Sequence, residues 1–445
     1  MKPQKILTIS LLLTVGLCSC GKKKNTMNFE PLFEKKVTTN VSAKVGKEPA
    51  VKVNVDVKVN PSASDFEKEY LFNKDKAIKD EGKKTFNNVT VFEQTSAMTV
   101  GWNLGNTFDA TGGNGLNTET SWSQPRTTKA MIDGLAATGI KTIRIPVSWH
   151  NHIIDRNAYT IDPAWMSRVK QVVDWAIEDG LYVIINCHHD DGDSFTNLPK
   201  GTGYYPSEKN LLESQRYLYN VWGQISMAFN NGYDEHLIFE TMNEPRAKNT
   251  SSEWWYNGDA QCVESAKALN VMNQTALDAI RESGGNNEKR FVMCPALQAS
   301  SNSATKNTFK MPQDIATGRL ILSVHAYSPY SFAMESPGAT QFTDGHKKEL
   351  DGMFNDLKRN FIDKGYGVVI GEYGATNKNN LEERVAWFSY YLSKAHALGI
   401  PCCLWDNGVH EVHNNDYSEH YGYYNRTSQT WYFPEITKTL IDTTK

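Results

Sequence analysis

Cysteine is scarce in this chain of 445 residues, which has seven, at positions 18, 20, 187, 262, 294, 402 and 403. No C-x-x-C pair and no cysteine–histidine cluster with zinc spacing occurs, so neither a zinc framework nor a disulfide framework organises the fold. Cys402 and Cys403 are neighbours and cannot bridge each other without strain. The thiols of the main domain are therefore read as buried and free. An excess of charge is missing too: 47 Lys and Arg against 50 Asp and Glu leave a net charge of −3. A nucleic-acid binder would want a basic face, so nucleic acid is excluded as a partner. No glycine-rich phosphate turn stands early in the chain, which counts against a doubly wound nucleotide-binding sheet. What is plentiful is aromatic, with 11 Trp, 20 Tyr and 18 Phe, and the hydrophobic share of 40% can fill a sizeable core. The length allows one large domain or two to three ordinary ones.

The first twenty residues, MKPQKILTISLLLTVGLCSC, place Lys2 and Lys5 before the apolar run Ile6 to Leu17, with small residues after it. That is the pattern of a secretory signal peptide, and the run is too short for a full membrane span. Leu17-Cys18-Ser19-Cys20 resembles the bacterial lipobox, which implies residues 1–19 as a lipoprotein signal peptide and lipid attachment at Cys20. The basic run Gly21-Lys22-Lys23-Lys24 suits an anionic membrane surface. Residues 20–94 are rich in Lys, Asn, Asp and Ser and are expected to form a flexible tether. Within them VKVNVDVKVN (51–60) alternates like a strand. It has no evident partner strand, so it is read as extended tether or a loosely docked edge. DFEKEYLFNKDKAIKDEGKK (65–84) has the makings of a short helix. The expected location is the bacterial cell surface or envelope, with the protein exported, lipid-anchored and monomeric.

From residue 95 to 445 a different rhythm holds. Eight apolar segments recur: TVGWNLGN (99–106), TIRIPVSW (142–149), LYVIINCHH (181–189), LIFETMNE (237–244), RFVMCPALQ (290–298), LILSVHAY (320–327), GVVIGEYG (367–374) and PCCLWDNG (401–408). Helical patterns lie between them. In one, Asp162 can cap, Pro163 fits the first turn, and Trp165, Met166, Val169, Val172, Val173, Ala176 and Ile177 form one apolar stripe ended by Gly180. Residues 127–139, LLESQRYLYNVWGQISMAF and LEERVAWFSYYLSKAHALG repeat the logic. Eight strand–helix units predict a (β/α)8 barrel.

In such a barrel the chemistry gathers at the C-terminal strand ends. The first segment ends in Asn106, the second carries Arg144, and the third ends in His188 and His189. The fourth ends in Asn243 and Glu244, the sixth carries His325 and Tyr327, the seventh Glu372 and the eighth Trp405, Asp406 and Asn407. Taken singly, each has a plainer reading: His188 as a hydrogen-bonded core histidine, Trp405 as core, Arg144 as a structural ion pair. Packing does not explain seven of eight segments delivering polar or aromatic groups to one rim.

Segments four and seven sit across the ring from each other, so Glu244 and Glu372 should face one another over the barrel mouth. Two facing carboxyls are the minimum apparatus for glycoside hydrolysis. One delivers a proton to the leaving oxygen, while the other, ionised, attacks the anomeric carbon or activates water. Arg144 is placed to hold Glu372 ionised. Glu244 has no cation in its own segment except Arg246, and repulsion from Glu372 should keep its proton on. Glu244 is thus the expected proton donor, with Asn243 beside it to hold a sugar hydroxyl.

IRIPVSW, FETMNEPR, HAYSP, VIGEYGA and LWDNG occur in that order and resemble glycoside hydrolase family 5, the retaining cellulase family. GWNLGNTFDA, ETSW (119–122), IINCHHD (184–190) and GATNKNN (374–380) are similar to its subfamily 4. The resemblance covers residues 95 to 440. It implies Glu244 as acid/base and Glu372 as nucleophile. It also implies that Arg144, His188, Asn243, His325, Tyr327 and Trp405 line the cleavage subsite, with no cofactor and no catalytic metal. The substrate it implies is a β-1,4-linked glucan cut internally: cellulose derivatives, mixed-linkage β-glucan or xyloglucan. A β-mannanase or xylanase on the same barrel, or a non-catalytic glycan-binding lipoprotein, are the alternatives, though the last should have lost a carboxylate. Trp122, Trp149, Trp254, Trp255 and the Tyr204-Tyr205 pair lie in or beside the top loops. Each is a candidate for stacking on sugar rings or for loop packing.

Overall fold

The eight apolar segments become eight parallel strands, β1 (Val100–Asn103), β2 (Thr142–Ile145), β3 (Tyr182–Asn186), β4 (Leu237–Glu240), β5 (Val292–Ser300), β6 (Leu320–His325), β7 (Gly367–Tyr373) and β8 (Cys402–Leu404). They close into one ring in chain order, β8 pairing back onto β1 through Cys402↔Val100 and Leu404↔Trp102. This (β/α)8 barrel is seen in a computed structural model that describes residues 35–43, 51–59, 71–192, 202–414 and 416–443. The signal-peptide and Cys20 readings lie outside the described residues.

The helices form where capping and periodicity predict them. Asp162 accepts the Ala164 amide at 2.9 Å and Pro163 opens the helix Pro163–Glu178, whose buried face is Trp165, Met166, Val169, Val172, Val173 and Ala176. Gly180 follows with φ 75°, a left-handed conformation that suits glycine at a helix end. Thr128 caps Lys129–Ala137 in the same way, and Leu211–Ala228 and Leu381–His396 match the other two patterns. Among the described residues no helix is long and apolar enough to cross a membrane.

The chain splits into two compact units, residues 1–60 and 61–445. In the first, Val51–Val59 is not an unpaired tether. It pairs antiparallel with Lys35–Ala43, from Lys35↔Val59 to Ala43↔Val51. Alternation in 51–59 was legible, but the partner strand was hidden in a segment of mixed polarity.

The second unit begins earlier than residue 95. Residues 71–94, expected as tether, run along the barrel and lock to it. The Phe72 amide donates to Asn220 Oδ1 at 2.7 Å, Asp80 accepts the amides of Asn230 and Gly232, and Glu235 accepts both the amide and the side chain of Asn87. No helix forms over 71–84; the segment is irregular, and its polar side chains bond the barrel's turns instead. Phe86 is only 8% exposed. It packs with Val91, Met98, Ile184, Ile238, Phe291, Met293, Ile321 and Val369. The strand bottoms are thus sealed from water by residues N-terminal to the first strand.

Candidate active site

The opposite, C-terminal mouth is built around Arg144 on β2, whose side chain is fully buried. Burial of a guanidinium is costly unless every donor is met. Here Nε donates to Glu240 Oε2 at 2.8 Å, one terminal nitrogen donates to Asn103 Oδ1 at 2.9 Å and Glu372 Oε1 at 2.8 Å, and the other donates to Asn243 Oδ1 at 2.7 Å. That second nitrogen also lies 3.3 Å from His325 Nε2. Burial alone would loosen the Arg144 proton, but the charges of Glu240 and Glu372 outweigh it. Arg144 thereby ties β1, β2, β4 and β7 and the turn after β4 into one rigid floor. Gly371 makes room for it: a Cβ there would meet His325 Nε2 at 3.2 Å and Arg144 Nε at 3.5 Å.

Glu240 is the member of this floor that was not anticipated. It is 0% exposed and also accepts Asn186 Nδ2 at 2.9 Å and Ser323 Oγ. Burial raises its pKa, but Arg144, then His325 and Ser323, win and hold it down at about 2. It is therefore a fixed anion beneath the site, out of reach of solvent.

The two expected carboxyls stand above that floor. Glu372 takes Arg144 on Oε1 and the Tyr327 hydroxyl on Oε2 at 3.0 Å. Glu244 takes His325 Nδ1 on Oε1 at 2.8 Å and Arg246 on Oε2 at 3.1 Å. An oxygen of Glu244, a ring nitrogen of His325 and an oxygen of Glu372 all lie within 4.8 Å of one another. One expectation is corrected by this geometry. Repulsion from Glu372 does not keep a proton on Glu244. Burial favours that proton, yet the hydrogen bond from His325, the His325 charge, Arg246 and Arg144 hold the carboxyl down at about 2. His325 gains what Glu244 gives up. Burial works against its charged form, but Glu372 and the hydrogen bonds to Glu240 and Glu244 lift it to about 9. The proton of the pair is thereby drawn toward the imidazole, one hydrogen bond away from Glu244.

The remaining predicted residues line the walls. His188 lies parallel to Trp405, ring centres 6.0 Å apart, with its Nδ1 beside Asn186 Nδ2 at 3.1 Å. Burial keeps His188 uncharged, as it does His189, which is pushed down to about 3 with help from Lys248 and Arg246. Trp122 packs 5.5 Å from the His189 ring. Trp405 closes on Gly105, where a Cβ would meet the indole at 2.9 Å. Asn106 contributes through its backbone: it takes φ 56° and donates its amide to Asp109 Oδ2. Three of the aromatic candidates for sugar stacking are core instead. Trp149, Tyr204 and Tyr205 are fully buried, and the Trp149 indole donates to the Asn186 carbonyl. Trp254 and Trp255 are open to water, 68% and 71% exposed.

Among the described residues two trios have metal-ligand spacing: Glu244, His325 and Glu372, and Asp109, His188 and His189. The first is already neutralised by Arg144 and Arg246, which would repel a cation. In the second, both Asp109 oxygens accept backbone amides, from Asn106 and Thr107. The arrangement suits proton transfer: one carboxylate gripped by a guanidinium and a phenol, and another fed by an imidazolium across a narrow gap.

The family described as Cellulase (glycosyl hydrolase family 5) matches residues 103–411. Endoglucanase A of Clostridium longisporum is 43% identical over 358 residues, covering 78% of this chain and 65% of its own length. The chain thus spans somewhat less than two thirds of that relative. A glycoside hydrolase family 5 lichenase from Caldicellulosiruptor sp. F32 superposes with a TM-score of 0.73 at 37% identity, covering 83% of this chain and 100% of that one. A family 5, subfamily 4 broad specificity endoglucanase from Ruminococcus champanellensis with bound cellotriose has a TM-score of 0.73 at 36% identity, covering 80% and 100%.

Proposed function

Because the chain belongs to glycosyl hydrolase family 5, we infer that it is a retaining endo-β-1,4-glucanase, with Glu372 as nucleophile and Glu244 as acid/base. The observation that carries the mechanism is the short gap between two carboxyls in different company. Oxygens of Glu244 and Glu372 come within 4.8 Å. Retaining enzymes hold their carboxyls about 5–5.5 Å apart, whereas inverting ones need about 6.5–9.5 Å to seat a water.

In the first step an oxygen of Glu372, ionised and held by Arg144 and Tyr327, attacks the anomeric carbon. The glycosidic bond breaks, and its oxygen takes a proton from Glu244. Glu244 draws that proton from His325 through the 2.8 Å hydrogen bond. Water then enters on the leaving-group side and gives a proton to Glu244. The hydroxide so formed displaces Glu372 from the sugar, restoring the β-configuration. The residues proposed to meet the sugar that is attacked are Asn243, bound to Arg144, and His188 and Trp405, whose rings lie parallel; Trp122 and His189, packed beside His188, and Asn106 are proposed for neighbouring sugars.

The substrates proposed are internal β-1,4-glucosidic bonds of cellulose derivatives, mixed-linkage β-glucan and xyloglucan, because relatives are named lichenase and broad specificity endoglucanase. A polysaccharide panel that also holds glucomannan and xylan tests this. Cleavage of mannan or xylan alone would replace the glucanase reading, and binding without cleavage would overturn it. Proton NMR should show the β-anomer first. Glu372→Ala and Glu244→Ala should fold and lose nearly all turnover on glucan. With an activated aryl cellobioside, azide should restore Glu244→Ala through a β-azide and Glu372→Ala only through an α-azide. Identical responses would refute the assignment of roles.

We propose in addition an exported, monomeric protein held at the bacterial envelope by lipid on Cys20. The apolar run, small residues and basic stretch that precede and follow that cysteine support this reading. Two or three acyl chains suffice for stable anchoring where one does not.

A further inference from the structure

Arg246 is not required by the double displacement described above, yet the fold invests several contacts in it. Its guanidinium reaches Glu244 Oε2 at 3.1 Å with one terminal nitrogen, and its Nε stands 3.5 Å from Glu253 Oε1. The indole of Trp254 covers it, 4.2 Å from ring centre to guanidinium carbon. The segment that supplies Glu253 and Trp254 is itself pinned. Asn249 donates its amide to Glu253 Oε2 at 2.8 Å, leaving Oε1 for Arg246. Gln298 at the end of β5 donates to the carbonyl of buried Ser252 at 2.9 Å.

We propose that Arg246 is a positioning residue that tunes the acid, held on Glu244 by Glu253 and Trp254, so that its fixed positive charge sets how tightly the Glu244–His325 pair keeps its proton. The proposal rests on the assignment of Glu244 as acid/base. An opposite charge within hydrogen-bond reach favours the ionised carboxylate, so it makes Glu244 a more willing proton donor and a weaker base. The other titratable groups facing Glu244 are His325, Arg144, Glu372, His189 and Tyr327, and those facing Arg246 are Asp191, Glu253, Tyr204, His188 and His189. Lys248, two residues along the chain, is paired with Asp191 at 3.1 Å. Trp254 adds a second element, because it is largely open to water while it covers the guanidinium. A sugar of the leaving group stacked there would strip water from the guanidinium and strengthen its pull when the acid is needed.

The test is the alkaline limb of kcat/KM on mixed-linkage β-glucan, which reports the proton held by the free enzyme's acid. That proton belongs to the Glu244–His325 pair as a unit. Arg246→Met should move the limb up by about one pH unit, at the low end of what an adjacent opposite charge produces. Arg246→Lys, which keeps the charge, should bring it back most of the way. Trp254→Ala should move it up by less, and Glu253→Gln should move it down, because less of the Arg246 charge is then drawn away from Glu244. A residue with a merely structural role would change melting temperature and rate without moving the limb. A limb unmoved in Arg246→Met overturns the proposal. Should that variant not fold, unmoved limbs in both Trp254→Ala and Glu253→Gln overturn it. Failure of the wild type to cut any β-glucan would instead overturn the function on which the proposal rests, before any variant is compared.

Discussion

Replacing Glu240 by Gln should show how far the site depends on an anion that never meets substrate. Gln keeps the shape: its oxygen in the Oε2 place still accepts from Arg144 and Asn186, and its NH2 in the Oε1 place donates to Ser323 Oγ, whose hydroxyl turns to accept, so the main loss is the charge. The wild-type carboxylate is held down from its ordinary 4.5 to about 2. At ~1.4 kcal/mol per pH unit, that is about 3 kcal/mol of stability at neutral pH. The figure agrees with the ~3–5 kcal/mol expected when one partner of a buried ion pair is lost. The folded unit described from residue 71 onward should unfold with an entropy of roughly 0.8 kcal/mol/K, at ~2.1 cal/mol/K per residue. Glu240→Gln should therefore lower the melting temperature by about 4 °C at pH 7.

The sign with pH follows from the direction of the depression. A group whose folded pKa lies below its unfolded one contributes fully above the unfolded value and loses that contribution as pH falls through the folded value. The gap in melting temperature between wild type and Glu240→Gln should be full at pH 6–7, about half by pH 3, and nearly gone by pH 2. The rate should suffer as well, because Arg144 positions Glu372 and misplacement by ~1 Å costs up to ~100-fold. Calorimetry across pH and initial rates on β-glucan measure both. Equal melting temperatures at pH 7, or a gap that stays constant down to pH 3, would refute the claim that this carboxylate is ionised and structural.

The N-terminal wrap should prove part of the barrel. Phe86→Ala should cost about 3–5 kcal/mol, as a large aromatic deleted from a core does, and a chain starting at residue 90 should melt well below one starting at residue 71. Equal stability of the two chains would return residues 71–89 to the tether. Cys20→Ala should move the protein from the membrane pellet to the soluble fraction on cell fractionation; unchanged pelleting would remove the lipid anchor.

The strands of the barrel were legible because a buried parallel strand writes itself as a short apolar run, and eight such runs separated by capped helices leave few architectures. The paired carboxyls were legible for the same reason: Glu244 and Glu372 end two of those runs. Residues 71–94 were not legible, because what docks them is mostly polar. Asp80 and Asn87 bond turn amides and a carboxylate, and Phe72, Phe86 and Val91 bury apolar surface at spacings that fit no single period. Regular spacing of apolar residues betrays a buried face, whereas a hydrogen bond to a distant turn leaves no such rhythm in the chain.

Glu240 is legible in the same stretch, four residues before Glu244. In FETMNEPR the costlier glutamate is the strand's last residue, because the one in the turn beyond it can reach the mouth. A carboxylate buried inside the ring needs a cation at its own level of the barrel, and β2 offers one in Arg144. That pairing uses one face of the guanidinium, so Arg144 has only part of its charge left for Glu372. The proton near Glu244 depends on a third group as well: an imidazole stands between the two carboxyls, and their mutual repulsion does not act alone. His325 lies 2.8 Å from Glu244 and 3.6 Å from Glu372, and a basic group so placed takes the proton that two crowded carboxyls would otherwise share. In the sequence His325 ends β6 and Glu244 lies in the turn after β4, 81 positions apart. Only closure of the ring makes them neighbours, so the identity of each catalytic group could be read from one dimension but the location of their proton required three.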